Sequence, residues 1–379
     1  MLLTSRGTRS VAVAAAVAAA VLSALVVPQP AQSAGPACGK KLAMLGALTG
    51  DAGALGQNMV DGAFLAISQY NAEHPGCTVG LINYDSQGDP ATAVPLATAI
   101  IENPSILGVV GPAFSGESLA TGRTFFQAGL ATVTPSATNP TVSRQGWKTF
   151  HRLISSDTGG GPRLAAYIRT TLKGSRVAVV TDGQDYSRQF VAPVRAGLGK
   201  RVVLNATVRP GQTNFRSVVA TIKAAKVKVV LFGGYYNEGG HLAGQLRKAG
   251  VTARFVTGEG STDPAFRKIA GAVATARAIF IGTYAPSNLS ATFTKSYRKK
   301  YGTAPGIYAL EAYDVANVFL DGLNAGKGTR ASMLAFVHAY NRLGLTKRVA
   351  FTSKGELIHP VSWVYKLDAN GLRAVARLR

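Results

Sequence analysis

Two stretches of this chain place hydroxyls and backbone N–H groups where an anion could be held. Residues 106–110 form an apolar run that reaches Gly111-Pro112, after which Ser115-Gly116-Glu117 opens an apolar-periodic segment. That is the pattern of a buried strand feeding a helix N-terminus. The first turn of a helix has N–H groups without partners and the positive end of a dipole, so a carboxylate or phosphate can sit there beside the Ser115 hydroxyl. The arrangement recurs after residues 130–133, where Thr134-Pro135-Ser136-Ala137-Thr138-Asn139 follows a short apolar run. Ordinary turn chemistry also favours Ser and Thr at such places, so the reading draws its weight from a third set of residues. Tyr186, Tyr235 and Glu259 each follow a further apolar run, within DGQDY, GGYYNE and GEGSTD. An acid can pair with an ammonium, tyrosine faces suit an apolar body or a cation, and hydroxyls with helix N–H groups hold a carboxylate. Together these groups describe an α-amino acid. Taken singly, each tyrosine is more often a loop plug and Glu259 a surface acid; their common strand-end placement shifts the balance.

The elements that must position these groups alternate along the chain. Strands are expected at 41–48, 78–84 and 106–110, with helices at 57–73 and 90–102. A second set begins after His151-Arg152-Leu153-Ile154: helices at 161–172, 185–198, 215–225 and 238–249 alternate with strands at 176–181, 202–207, 228–232 and 254–257. Later come a strand at 278–283, helices at 290–301, 309–325 and 331–342, and strands at 349–351 and 361–367. Repeated strand-helix units argue α/β architecture with two doubly wound parallel sheets, in which ligands bind outside the carboxyl ends of the strands. No Pro/Ser linker or low-complexity tract separates the halves, which fits several short crossings better than domains strung end to end. The glycine-rich loop at 49–56 matches neither GxxxxGK[ST] nor GxGxxG, so a nucleotide site is not expected there.

With 379 residues, 47% hydrophobic and 16% charged, the chain is globular and long enough for two cores. Its start reads as a secretory leader: Arg6 and Arg9, an apolar Ala-rich run at 11–27, and small residues at 28–34. That run of 17 residues is at the short limit for a membrane span, so export is favoured over an anchor. The only two cysteines, Cys38 and Cys77, each precede an expected strand. If those are neighbouring parallel strands, both thiols lie at one sheet edge and an exported chain would oxidise them to a disulfide. A zinc site needs more ligands nearby, and His74 is the sole candidate, so no metal is expected. Gly35-Pro36-Ala37 lacks the aliphatic residue usual three places before a lipidated cysteine, which disfavours a lipid anchor on Cys38.

The formal charge of +23, reduced to +21 by loss of Arg6 and Arg9, draws anionic partners such as wall polymers or lipid headgroups. The bases are scattered, with Lys295, Arg298, Lys299 and Lys300 the densest group, and no nucleic-acid motif accompanies them, so nucleic acid is not an expected partner. The five histidines show no HExxH spacing and no GxSxG elbow frames a serine, so no enzyme and no cofactor are expected. His151 and His338 sit in apolar surroundings and read as structural.

The stretches AMLGALTGDAGALGQNMVDGAFLA, YDSQGDPATAV, GPAFSG, VTPSATNP, DGQDYS, FGGYYNEGG, TGEG and LEAYDVANVF together resemble the type I periplasmic-type solute-binding proteins of the leucine/isoleucine/valine-binding family. The likeness covers nearly all of the chain after the leader. It implies two α/β lobes joined by three hinge crossings near 155–158, 283–285 and 347–350, with residues 38–156 and 285–348 in one lobe and 157–284 and 349–379 in the other, after a leader of 1–37. It also implies ligand in the cleft, an ABC permease as membrane partner, and a monomeric capture component. Carried over residue by residue, the carboxylate-binding hydroxyls fall on Ser115 and Thr138, with Ser136 giving backbone contacts. The cleft tyrosines fall on Tyr186 and Tyr235 and the ammonium-binding acid on Glu259. Phe114 stands where many members have a cysteine, and Leu55 where an aromatic often lines the first loop, which leaves the side-chain preference open.

The function expected is an extracytoplasmic binding protein for a branched-chain or similar aliphatic amino acid. An amide, urea or aromatic acid on the same fold is the alternative, as is a ligand-sensing module. The chain ends at Leu378-Arg379 without a membrane span, which argues against a receptor in cis.

Overall fold

The computed structural model describes residues 37–286, 289–369 and 371–378; the expected leader lies outside them. The first run of elements is β1 (Lys41–Gly46), α1 (Gly53–Glu73), β2 (Gly80–Asp85), α2 (Pro90–Glu102), β3 (Ile106–Val110), α3 (Ser115–Gln127), β4 (Ala131–Thr134), α4 (Pro140–Ser143) and β5 (Phe150–Arg152). Its five strands form one parallel sheet in the order β2-β1-β3-β4-β5. The central β3 is buried at every position, as an apolar run covered on both faces must be.

The second run is α5 (Asp157–Thr170), β6 (Val177–Thr181), α6 (Asp185–Leu198), β7 (Val202–Thr207), α7 (Arg216–Ala224), β8 (Val229–Gly233), α8 (Tyr236–Lys248), β9 (Arg254–Thr257), α9 (Ala265–Ala270), α10 (Ala272–Ala276) and β10 (Ala278–Gly282). The chain then adds α11 (Ala291–Tyr301), α12 (Ala309–Asn324), α13 (Arg330–His338), β11 (Asn341–Leu343), β12 (Arg348–Ala350), β13 (Trp363–Asp368) and β14 (Gly371–Arg377). The second sheet runs β14-β13-β10-β9-β8-β6-β7. Five of its strands are parallel, but β13 and β14 join antiparallel at the β10 edge, so this sheet is mixed. The alternating residues 371–377 were not anticipated as a strand.

Two further local expectations are corrected. The helix expected at 331–342 ends at His338, because 341–343 pairs with 348–350 instead. Asp314 holds the connecting turn by accepting the Leu345 and Thr346 N–H groups and the Thr346 hydroxyl. α1 begins at Gly53 rather than at 57, which puts Leu55 on a helix rather than in a loop. The glycine there answers to packing: a Cβ on Gly56 would lie 1.7 Å from the Ala47 carbonyl oxygen. β12 pairs antiparallel with β11 in a two-stranded sheet of its own, apart from both larger sheets.

After leaving β10 the chain returns to the first sheet, and α12 packs along α1. Tyr297 and Tyr301 donate to the Asp61 carboxylate and carbonyl at 3.1 and 2.8 Å. The helices approach so closely that a Cβ on Gly62 would meet the Ala309 carbonyl oxygen at 1.9 Å. Gly62→Ala is therefore expected to cost about 1–3 kcal/mol, toward the upper end because the atom met is backbone and cannot swing aside. A denaturant melt of the variant against wild type checks this, and an unchanged midpoint would contradict it.

Candidate functional site

In each parallel sheet one pair of neighbouring strands sends its following helices to opposite faces, and a crevice opens at their carboxyl ends. The strand orders place those switch points between β1 and β3 in the first sheet and between β6 and β8 in the second. Leu55 and Ser115 follow β1 and β3, while Tyr186 and Tyr235 follow β6 and β8. Ser136 and Glu259 come one strand further out, after β4 and β9. Two switch points facing each other thus account for why these residues, scattered through the chain, meet.

All but Glu259 meet in one cavity of about 250 Å³ lined by Leu55, Phe114, Ser115, Ser136, Tyr186 and Tyr235, with Ala113, Ala137, Gly260 and Tyr308 completing the wall. The rims touch. The Phe114 and Tyr235 ring centroids are 5.1 Å apart, Tyr186 and Tyr235 lie at 5.5 Å, and Asn139 Nδ2 donates to the Asp185 carbonyl at 3.3 Å. A wider, open depression of about 1070 Å³ lies along α7 and α8, lined by Thr213, Lys223, Gln245 and Lys248 among others, away from the strand ends where the expected residues gather.

On the first-sheet side the two loops are held together by their own hydroxyls. Thr134 donates its hydroxyl to the Pro112 carbonyl at 2.7 Å and accepts the Ala137 N–H at 3.0 Å, which ties the two loops together. The Ser115 hydroxyl accepts the Asn139 N–H at 3.2 Å, and Ser136 donates to the Ala113 carbonyl at 2.6 Å. Arg152, wholly buried at the end of β5, donates to the Ala137 and Asn139 carbonyls at 2.8 and 2.9 Å, clamping the backbone on both sides of Thr138. Its remaining nitrogen pairs with Glu356 at 3.2 Å.

On the second-sheet side Tyr186 accepts the Gly260 N–H at 3.3 Å. The backbone must come close for this: a Cβ on Gly258 would lie 2.3 Å from the Tyr186 hydroxyl oxygen. Glu259 is 4% exposed and accepts the Thr283 N–H at 3.1 Å and the Thr283 hydroxyl at 3.2 Å. Burial, and then the neighbouring Asp157 carboxylate, push its pKa up to about 8, against the opposing pull of Thr283.

Of the expected residues, Thr138 and Glu259 do not line the cavity but lie behind its wall, next to Ala137 and Gly260. Asp157, at the start of α5, faces both of them. Burial pushes its pKa up to about 7, in spite of the Thr138 hydroxyl and Arg152. The Thr138 hydroxyl faces this carboxylate without hydrogen-bond geometry, and both it and Asp157 Oδ2 are buried without a formed hydrogen bond. Two acids whose ionised forms are penalised by burial and by each other favour a cation placed between them. Asp157, Arg152 and Tyr308 are participants that the sequence reading passed over. Tyr308 enters the wall with φ of +64°, a backbone conformation that no local pattern announces. An arginine inside the apolar run FHRLI was the one available hint.

The histidines do not join this site. His151 is buried, and burial followed by the nearby His338 pushes its pKa down to about 3. Its Nδ1 lies 3.1 Å from the Thr149 carbonyl, so it is a neutral core residue. Among the described residues no group of His, Cys, Asp and Glu is arranged to hold a metal ion.

The family model for the periplasmic binding protein matches residues 40–371. The chain belongs to that family. A leucine-, isoleucine-, valine-, threonine- and alanine-binding protein of Pseudomonas aeruginosa is 28% identical over 340 residues, 88% of this chain and 91% of the relative. Among solved structures, the leucine binding protein LivK of Thermotoga maritima has a TM-score of 0.80 at 25% identity and covers 90% of this chain and 99% of its own. The branched-chain amino acid transporter substrate binding protein LivJ of Streptococcus pneumoniae, in complex with isoleucine, reaches 0.82 at 23% identity, over 89% and 98% of the two chains. As a periplasmic binding protein of type I architecture, the chain carries its cavity between two α/β sheets, and no described helix is long and apolar enough to cross a membrane.

Proposed function

We propose that this protein captures an aliphatic α-amino acid, of which the branched-chain ones fit best, and hands it to an ABC permease from outside the cytoplasmic membrane. The observation that carries the reading is the division of the cavity wall, with Ser115 and Ser136 on the first-sheet side and Tyr186, Tyr235 and Gly260 on the second, and with Glu259 directly behind Gly260. The ligand carboxylate meets the hydroxyls and N–H groups, and the ammonium meets Glu259, with Thr138 and Asp157 beside it. The aliphatic body lies against Leu55, Phe114 and the tyrosine rings. The names of the relatives support this choice of side chain: one binds leucine, isoleucine, valine, threonine and alanine, one is in complex with isoleucine and one is a leucine binding protein.

The working lobes are residues 38–156 with 285–348, and 157–284 with 349–379, with β12 at the hinge between them. Neither lobe alone can satisfy both ends of the ligand, so binding favours the closed cleft. Mass spectrometry of small molecules released from the purified protein should find an aliphatic amino acid. Calorimetry should then show that leucine binds and that its desamino analogue binds far more weakly. Equal affinity for the two would sink the amino-acid reading.

A further inference from the structure

Buried charges tie together the passages between the two sheets. Glu311, in the first turn of α12 and 1% exposed, accepts the Ala285 N–H at 2.6 Å. Lys347, just ahead of β12, donates to the Leu153 carbonyl at 3.1 Å and lies 3.9 Å from the Glu311 carboxylate, with 14% of its side chain exposed. One acid and one base thus join the first passage at Leu153, the second at Ala285, and the strand that leads into the third. Two residues before Ala285, Thr283 holds Glu259 through its N–H and hydroxyl. Between them, the Tyr284 carbonyl accepts the Tyr365 hydroxyl at 2.7 Å and the two rings stack at 4.8 Å. The run Thr283-Tyr284-Ala285 is therefore bonded at one end to the acid of the cleft and at the other to the ion pair of the hinge.

The charges around Glu259 are unequal in sign. It is faced by the Asp157 and Glu311 carboxylates and by the phenols of Tyr186, Tyr284, Tyr308 and Tyr365. The base that faces it is Lys347, which also faces Glu311 and Asp314; Arg152 is turned to Asp157 and Glu356. Taking a desolvated base out of a group of acids raises their affinity for protons, and a protonated Glu259 cannot pair with an ammonium.

We propose that Lys347, held by Glu311, is a positioning residue for ligand capture: it favours the ionised form of Glu259 and links that carboxylate to the hinge. The inference rests on the amino-acid reading of the cleft. Occupation of Glu259 by an ammonium is then felt through Thr283 and Ala285 at the same two side chains that fix the passages, so ligand headgroup and hinge share one network.

The test is calorimetric titration of wild type, Lys347→Met, Lys347→Arg and Glu311→Gln with L-leucine, from about pH 6 to about pH 9. Lys347→Met should bind about tenfold more weakly near neutrality, with the deficit shrinking as pH rises and the midpoint of the profile displaced upward by about one unit. Lys347→Arg should restore the wild-type profile. Glu311→Gln removes an acid that faces Glu259, so its midpoint should move downward, which keeps the inference testable if Lys347→Met does not fold. A Lys347→Met deficit of one size at every pH, an unchanged profile, or midpoints of the two variants moving the same way would each overturn the inference while leaving the amino-acid reading intact. Wild type that binds no aliphatic amino acid at any pH would overturn both.

Discussion

Replacing Glu259 with glutamine is expected to weaken binding of leucine by roughly 1.5–3 kcal/mol, the scale of a hydrogen bond to a charged group. Glutamine keeps the shape and can still accept from Thr283, so the loss reports the charge that meets the ligand ammonium. The desamino analogue, which has no ammonium, should bind wild type and Glu259→Gln alike. Calorimetry of both ligands against both proteins gives the four affinities. Equal losses for the two ligands would mean that the substitution damaged the cleft rather than the headgroup contact.

The same carboxylate makes binding depend on pH in a definite direction. In the free protein its pKa is about 8, raised first by burial and next by Asp157, so below that value it is mostly protonated. Pairing with an ammonium favours the ionised form, which lowers its pKa in the complex. Binding near neutrality must therefore release a proton, and affinity must rise with pH, by up to about tenfold per unit, until about pH 8. The stability of the free protein runs the other way. A carboxyl that holds its proton more tightly folded than unfolded favours folding less as pH climbs from the ordinary carboxylate range toward about 8. Titrations in buffers of different ionisation enthalpy count the released proton, and a count of zero with a flat affinity profile would contradict the headgroup assignment.

The second large effect concerns stability. Cys38 and Cys77 form a disulfide with Cα atoms 4.6 Å apart, across a sequence separation of 39. They precede β1 and β2, which pair in parallel from Lys41 and Gly80 onward. In the chain-entropy view a closed loop of this size stabilises the fold by about 3–4 kcal/mol. Cys38→Ser/Cys77→Ser should lose about that much in a urea or guanidinium melt. Its leucine affinity should be unchanged, because the bond lies at the amino edge of the sheet and the cleft at the carboxyl edge. Thiol titration of the unfolded, unreduced wild type should find no free thiol. Two free thiols, or a double variant as stable as wild type, would refute the assignment.

The sequence alone determined the alternation of strands and helices, because apolar periodicity is local and each buried parallel strand reads as a short apolar run. From that alternation the strand-end positions of Ser115, Ser136, Tyr186, Tyr235 and Glu259 followed, and so did the placing of Cys38 beside Cys77. The resemblance carried by several such stretches added the family. What lay beyond local reading depended on partners far along the chain. Strands β13 and β14 pair antiparallel at a sheet edge made by residues about eighty positions earlier. The turn that ends α13 is held by Asp314 of another helix. The roles of Arg152, Asp157 and Tyr308 belong to the same class. A buried arginine has meaning only once the carbonyls of Ala137 and Asn139 stand in front of it. Likewise Asp157 becomes a partner of Glu259 only when two separately encoded sheets bring their switch points together. Local patterns set which residues reach a strand end; only the packing of one sheet's crevice against the other decided which of them face the same few ångströms of buried space and with what charge.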